Sequence, residues 1–318
     1  MYKGPIFLEP VFKERIWGGT KLQAEYGYNI SNELTGECWG ISGHQHGPSR
    51  IRNGELEGWP LDRAWNEHRQ LFGNLEGSEY PLLVKILDAQ TDLSVQVHPN
   101  DEYALEKENY SFGKTECWYV ISCEEGAQLV YGHHAESESE FAAMVEQGEW
   151  KKLLRQVSIQ PGDFFYVPSG TIHAIGAGTM ILETQQSSDI TYRVYDYDRR
   201  DADGQLRDLH INQSIAVATY PHRDPVIEQT EAKVQDLTIK QLVEDTYFTV
   251  YLWKLNGTAE LVQEFSFLQV SVIEGRGTLY ADGKEYPFVK GDHYILPATM
   301  DEYRLEGDAE MVVSHVTI

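Results

Sequence analysis

Two stretches of this chain echo each other. Residues 160–175 read QPGDFFYVPSGTIHAI and residues 289–304 read VKGDHYILPATMDEYR. Each has Gly-Asp, a short aromatic and β-branched run, and then a proline: Gly162 to Pro168, and Gly291 to Pro297. Just upstream, VISCEEGAQLVYG (120–132) parallels VIEGRGTLYADG (272–283). A β unit used twice constrains the fold strongly, because each copy must bury its own apolar face and then stack on the other. The expectation is a mainly β protein of two stacked small barrels of the jelly-roll kind, with a few short helices.

Strand-like runs rich in β-branched and aromatic residues cover YPLLVKILDA (80–89), ECWYVIS (116–122), DFFYVP (163–168), TMILETQQ (179–186) and ITYRVYDY (190–197). Gly, Pro, Asn and Asp punctuate them. Leu61, Trp65, His68 and Phe72 recur at helical spacing behind Pro60. Ser137 and Glu140 make a capping-box pair ahead of Phe141, Met144 and Val145, and after Gly148 the residues Trp150, Leu153 and Leu154 continue. A last helix is expected over about 209–219, ending before Pro221. Residues 221–245 are polar and weakly patterned, and read as a connector. Strand patterns then resume. The expected division is a metal-binding domain over 1–240 and a second domain over 241–318.

The stretch SVQVHPND (94–101) alternates, with Ser94, Gln96 and His98 on one face and Val95 and Val97 on the other. Gly162, Pro168, Gly170 and His173 fit G-x5-P-x-G-x2-H, a pattern that resembles the second motif of the cupin superfamily, small β-barrels that often hold one metal ion. His98, Glu116 and His173, with Gln96 on the His98 face, make an imidazole–imidazole–carboxylate set. It suits zinc or another first-row divalent ion and leaves positions for water or substrate. A structural zinc would be closed by four ligands, so an open set points to catalysis.

The repeat supplies an internal control. Aligning Val120-Ile121 on Val272-Ile273 puts Leu268 opposite Glu116, while Thr299 and Glu302 take the places of Gly170 and His173. A barrel with leucine for its carboxylate cannot hold the ion. The fold alone therefore does not demand these ligands. His68, His133, His134, His210 and His222 are read as ordinary structural histidines.

Net charge is −24, a field that disfavours nucleic acid and anionic membranes as partners. An anionic substrate would need local cations against that field. The three cysteines, Cys38, Cys117 and Cys123, have no CxxC spacing and read as cytosolic thiols. No apolar run is long enough to span a membrane, and the first residues lack a signal-peptide core, so a cytoplasmic location is expected.

Together, RIWGG, VQVHPND, GKTECWYV, VPSGTIHAIG and LETQQSSDITYRVYDYDR resemble the type I mannose-6-phosphate isomerases in their short bacterial form, strongly over 1–220. The resemblance implies zinc at Gln96, His98, Glu116 and His173, and an active-site arginine at Arg193. Longer members carry a sizeable helical insertion. The segment between Glu116 and His173 has room only for short helices here. The implied reaction interconverts mannose 6-phosphate and fructose 6-phosphate through a cis-enediol.

That chemistry gives the remaining residues their expected tasks. A base must reach the C1 and C2 protons. Glu183, on the strand after His173, is one candidate and a metal-bound water is another. Lys114 shares the Glu116 face by the period of two and is a candidate at the catalytic centre. Arg193 is expected to clamp phosphate or to stabilise the enediolate. Lys85 and Ser94 are candidate phosphate or hydroxyl contacts, and Arg15 and Trp17 candidate residues of the mouth. The competing classes are a metal-dependent cupin oxidoreductase, dioxygenase-like, and a non-catalytic sugar-phosphate sensor.

Overall fold

The computed structural model describes residues 2–200 and 203–317. Its strands fall into three sheets of nine, six and five strands. The six-stranded sheet runs Phe164–Val167, Glu116–Cys123, Thr179–Gln186, Leu82–Ala89, Thr35–Ser42, Val11–Gly19, antiparallel throughout. The five-stranded sheet runs Tyr192–Tyr195, Val95–Val97, His173–Ile175, Gln128–His133, Leu154–Ser158, also antiparallel.

Side chains alternate across a strand, and here both faces of the six-stranded sheet are used. Leu87, Ala89, Trp118, Val120 and Ile181 point inward and meet Leu129, Tyr131 and Ile175 of the five-stranded sheet. Leu82, Val84, Ile86, Cys117, Tyr119, Met180 and Leu182 point outward. They pack on Phe248, Val250, Phe267 and Ile295 of the nine-stranded sheet. This explains why these runs are apolar at both parities. Of the buried charges on these strands, Lys85, Glu116 and Glu183 fall at inward positions, while Asp88 falls at the outward parity and accepts Lys21 N–H at 2.7 Å.

The internal repeat is visible bond by bond. Gly162 and Gly291 both take φ 91°, a left-handed conformation that favours glycine. Gly162 N donates to Val120 O at 2.8 Å, and Gly291 N donates to Val272 O at 2.9 Å. Glu116 pairs with Val167 where Leu268 pairs with Leu296. Leu268 therefore stands in Glu116's place, packed in an apolar core with Val270, Tyr294 and Leu296.

Two expectations change. The sheets are open rather than two closed barrels. Among the described residues, the edge strands Val11–Gly19 and Tyr192–Tyr195 do not pair with each other. The physical reason lies in their side chains: Arg15 and Trp17 from one edge, and Arg193 from the other, line a cavity between them. Backbone closure there would shut its mouth. The 221–245 connector also contains a hairpin, Thr230–Val234 and Leu237–Glu244, added to the nine-stranded sheet beside Phe248–Val262. Its outer strand is largely exposed, so no apolar alternation marks it.

The helices are short, as expected: Leu61–Glu67, Glu138–Glu146, Trp150–Leu153 and Ile211–Val217 among them. The Leu61–Glu67 helix breaks at His68 and tightens to a 3-10 turn over Arg69–Phe72. Ser137 caps its helix by accepting Glu140 N–H at 3.3 Å, and the Glu140 carboxylate takes Glu136 N–H instead of Ser137's. The N-terminal strand Ile6–Glu9 joins the nine-stranded sheet against His293–Pro297.

Candidate metal centre and substrate cavity

Strand register assembles the centre. On the five-stranded sheet, His173 pairs with Gln96 and Gln96 with Arg193, giving a row across three strands. On the facing sheet, Gln185 pairs with Glu116, while Glu183 pairs with Trp118 on one side and Lys85 on the other. The two rows meet between the sheets. His173 Nε2 lies 3.3 Å from Glu116 Oε1, and His98 Nε2 lies 3.5 Å from Glu116 Oε2.

The donor set fits a divalent cation. His98 Nδ1–H donates to Ile190 O at 2.8 Å, and His173 Nδ1–H donates to Thr171 O at 2.9 Å. These bonds fix the tautomers and leave both Nε2 lone pairs facing inward. Ligand atoms about 2.0–2.1 Å from a tetrahedral ion stand roughly 3.3 Å apart, close to the separations here. Glu116 Oε1 is buried without a hydrogen-bond partner among the described residues. Gln96 stands beside the group, its amide nitrogen 3.3 Å from His173 Nε2. Lys114 Nζ already donates to His98 Nε2 at 3.0 Å and to Glu116 Oε2 at 2.6 Å, occupying the lone pairs that a cation would use.

The electrostatics favour that use. Burial, with Lys114 adding, pushes the His173 imidazole down to about 3 and His98 well below its ordinary value. Both rings are thus neutral, with lone pairs that a cation could use. Burial pushes the Glu116 carboxyl up, and the charge of Glu183 adds to this while Lys114 opposes it. A cation would reverse that shift. Burial also opposes ionisation of Glu183, but Lys85 and Lys114 outweigh it and hold its carboxyl low. Lys85 Nζ lies 2.7 Å from Glu183 Oε2, and Trp118 Nε1 donates to Oε1 at 3.0 Å.

In front of this group opens a cavity of about 730 Å³. Every sequence-predicted contact lines it: Arg15, Trp17, Lys85, Ser94, Gln96, Lys114, Glu183 and Arg193. His98, Glu116 and His173 lie buried behind. Five cations, from Arg15, Lys85, Lys114, Arg193 and Arg207, face four carboxylates, from Glu37, Glu183, Asp189 and Asp208. That balance contrasts with a chain of 26 basic and 50 acidic residues. Arg15 is not free. It forks onto Glu37 at 3.1 and 3.0 Å, and Trp39 Nε1 donates to the same carboxylate at 2.7 Å.

Sequence reasoning missed Glu37, Trp39, Asp189, Arg207, Asp208 and His210, all on the cavity wall. The tripeptide Glu37-Cys38-Trp39 repeats Glu116-Cys117-Trp118, and that was a readable signal. In both, Glu and Trp face inward and Cys faces the outer core. His210, read as an ordinary structural histidine, accepts Arg193 N–H through Nδ1 at 3.1 Å. A second donor group, His44, His46 and Asp189, gathers at the rim. His44 Nδ1 accepts His46 N–H, so its neutral ring carries its proton on Nε2, toward Asp189. His46 Nδ1 bonds Asp189 at 2.6 Å, while His44 Nε2 stands 3.7 Å from that carboxylate.

Comparison with known proteins agrees with the geometry. Residues 6–121 match the family model "Phosphomannose isomerase type I, catalytic domain", and residues 238–316 match "Mannose-6-phosphate isomerase, cupin domain". The chain is 54% identical to the mannose-6-phosphate isomerase ManA of Bacillus subtilis over 98% of this chain and 99% of that protein. It is 50% identical to the mannose-6-phosphate isomerase of Streptococcus mutans, covering 98% of each. A crystal structure of the mannose 6-phosphate isomerase from Bacillus subtilis superposes with a TM-score of 0.97 at 51% identity, covering 98% of this chain and 100% of that one. Phosphomannose isomerase from Salmonella typhimurium shares the fold at 17% identity, with a TM-score of 0.80 over 99% and 100% of the two chains. With two family matches, half the residues identical to full-length relatives and a ligand set in register, this chain belongs to the type I mannose-6-phosphate isomerases.

Proposed function

We propose that this chain interconverts mannose 6-phosphate and fructose 6-phosphate by moving a proton between C1 and C2. The observation that carries the reading is one juxtaposition. Two neutral imidazoles and a buried carboxylate gather behind a cavity lined by five cations and four carboxylates, in a strongly acidic protein. In this reading Gln96, His98, Glu116 and His173 hold zinc. When bound, the ion supplies Lewis-acid stabilisation of the charge that develops on the sugar oxygens, worth several kcal/mol.

The chain's own groups do the rest. Lys114 Nζ stands beside the ligands and donates hydrogen bonds at the reacting end. Glu183, held ionised, is a weak resting base, and it fits best as the group that keeps Lys85 charged and aimed. Arg193, next to Gln96 in register, lines the cavity, and a guanidinium there can contact the oxygens of a bound sugar phosphate. Trp17 and Trp39 wall the cavity and exclude water, which strengthens each of these contacts.

The repeat supports two cupin-type units, a metal-binding one within 1–240 and one without ligands in 241–318. Three free thiols, two of them buried, suit a cytoplasmic setting. The function is tested by supplying mannose 6-phosphate to purified zinc-loaded protein and following fructose 6-phosphate in a coupled assay. No turnover above background would end the reading.

A further inference from the structure

We infer that Arg207 and His210 form the phosphate-recognising end of the cavity. This rests on the sugar-phosphate reading above and fixes which way the substrate lies.

The geometry sets an order. The row His173, Gln96, Arg193 continues to His210, which donates its N–H to Arg193 O at 2.7 Å and accepts Arg193 N–H at 3.1 Å. Neighbouring strands stand about 4.8 Å apart, so Arg193 lies roughly 10 Å from His173 and His210 roughly 14 Å. In an open-chain hexose phosphate, six single bonds separate C2 from phosphorus, about 7 Å when extended. With C1 and C2 at the metal ligands, the phosphate falls past Gln96, where Arg193, Arg207 and His210 converge.

The available donors agree. Lys85 and Lys114 are bound to buried Glu183 and Glu116, while Arg15 gives Nε and one terminal nitrogen to Glu37 and its other terminal nitrogen to Glu14 O at 3.0 Å. Arg193 keeps a buried Nε with no hydrogen-bond partner among the described residues. Arg207 places its Nε on Asp196 at 2.7 Å and one terminal nitrogen on the same carboxylate, which fixes the plane of the guanidinium and leaves other N–H groups for a ligand. His210 uses Nδ1 as an acceptor, so its neutral ring carries a donor on Nε2. Asp208 lies at the same end, its carbonyl accepting from Arg193 at 2.9 Å, so the site works through directed donors rather than through net charge. Two guanidinium groups with an imidazole N–H suit a tetrahedral dianion.

The test measures kcat and KM for mannose 6-phosphate, and the Ki of inorganic phosphate as a competitive inhibitor, on zinc-loaded protein. Arg207→Ala should raise KM and Ki together, by about 10–100-fold, with kcat within about threefold. Arg207→Lys keeps the charge and the Asp196 pair and should recover part of both. His210→Asn retains an acceptor for Arg193 N–H but loses the Nε2 donor, so it should also raise both constants. Asp196→Asn leaves Arg207 in place and should disturb Ki less than Arg207→Ala does. KM and Ki within twofold of wild type in Arg207→Ala and His210→Asn, or a loss confined to kcat, would overturn the assignment. Equal effects of Asp196→Asn and Arg207→Ala on Ki would also overturn it, as a purely structural role predicts. Wild type that turns over no mannose 6-phosphate would instead refute the isomerase reading.

Discussion

Lys114 and His98 share a hydrogen bond that a metal ion would contest: Nζ stands 3.0 Å from Nε2. The same ammonium is bound to Glu116 Oε2 at 2.6 Å. It thus sits among the ligands as a positive charge that any incoming cation must oppose.

Replacing that charge should tighten the site. Lys114→Met removes a repulsion that at a few ångströms is worth several kcal/mol even in a screened interior. Zinc affinity, measured by competition with a chelator, is expected to rise at least about tenfold. Turnover should fall in the same variant, because the donor at the reacting end is gone. Weaker zinc binding would contradict this picture of Lys114.

His173 and Arg193 should separate cleanly. His173→Ala removes one lone pair from the set, so metal content and activity are expected to vanish together, with affinity down by more than about 100-fold. Arg193→Ala touches no ligand and should keep full metal content while losing at least about 100-fold in turnover. Metal analysis beside a coupled assay reads both, and near-normal rates in Arg193→Ala would remove it from the site.

Lys85 and Glu183 form a buried ion pair across neighbouring strands, and breaking it should be costly. Glu183→Gln leaves a desolvated ammonium and is expected to destabilise the fold by about 3–5 kcal/mol in urea unfolding. Lys85→Met combined with Glu183→Leu removes both charges and should regain most of that loss without regaining activity. A stable, inactive double variant would assign the pair to function rather than to folding.

His293 gives a pH signature away from the metal centre. Its ring bonds Ser271 Oγ at 2.8 Å and Tyr28 OH at 3.1 Å, and burial pushes it down to about 3. The unfolded chain, with an ordinary value near 6.5, takes up the proton first. Stability from this group is therefore complete above about pH 6.5 and lost as pH falls toward 3. His293→Gln should cost stability at pH 7. The gap between wild type and variant should narrow by about 2 kcal/mol at pH 5. An unchanged gap would mean that the ring titrates normally.

Much of the centre was legible because strands have a period of two. Gln96, His98 and Glu116 sit at inward parity beside apolar neighbours that face elsewhere, and Gly162 to His173 repeats a turn found again at Gly291. The register that equates Leu268 with Glu116 follows from the same turn. Arg207 and His210 were not legible. They lie outside the strands, where no period assigns a facing, and only the return of the chain beside Arg193 brings them to the cavity. Open edges were equally hidden, because edge pairing is made by backbone groups that side-chain pattern does not encode. The hairpin at 230–244 escaped for a related reason: an outermost strand with one solvated row looks like loop.

The central strands that carry Lys85, Glu116 and Glu183 are covered on both faces. One surface holds the reactive groups, and the other is covered by Phe248, Phe267 and Ile295. The half with Leu268 in the place of Glu116 is thus the back wall of the half that holds the His98, Glu116 and His173 group. A fragment stopping short of it would bare Leu82, Val84, Ile86 and Leu182 as a continuous oily plane and clump before it could work. The interior of the second unit is apolar, while its exterior is tied to the first as a wall that neither can shed.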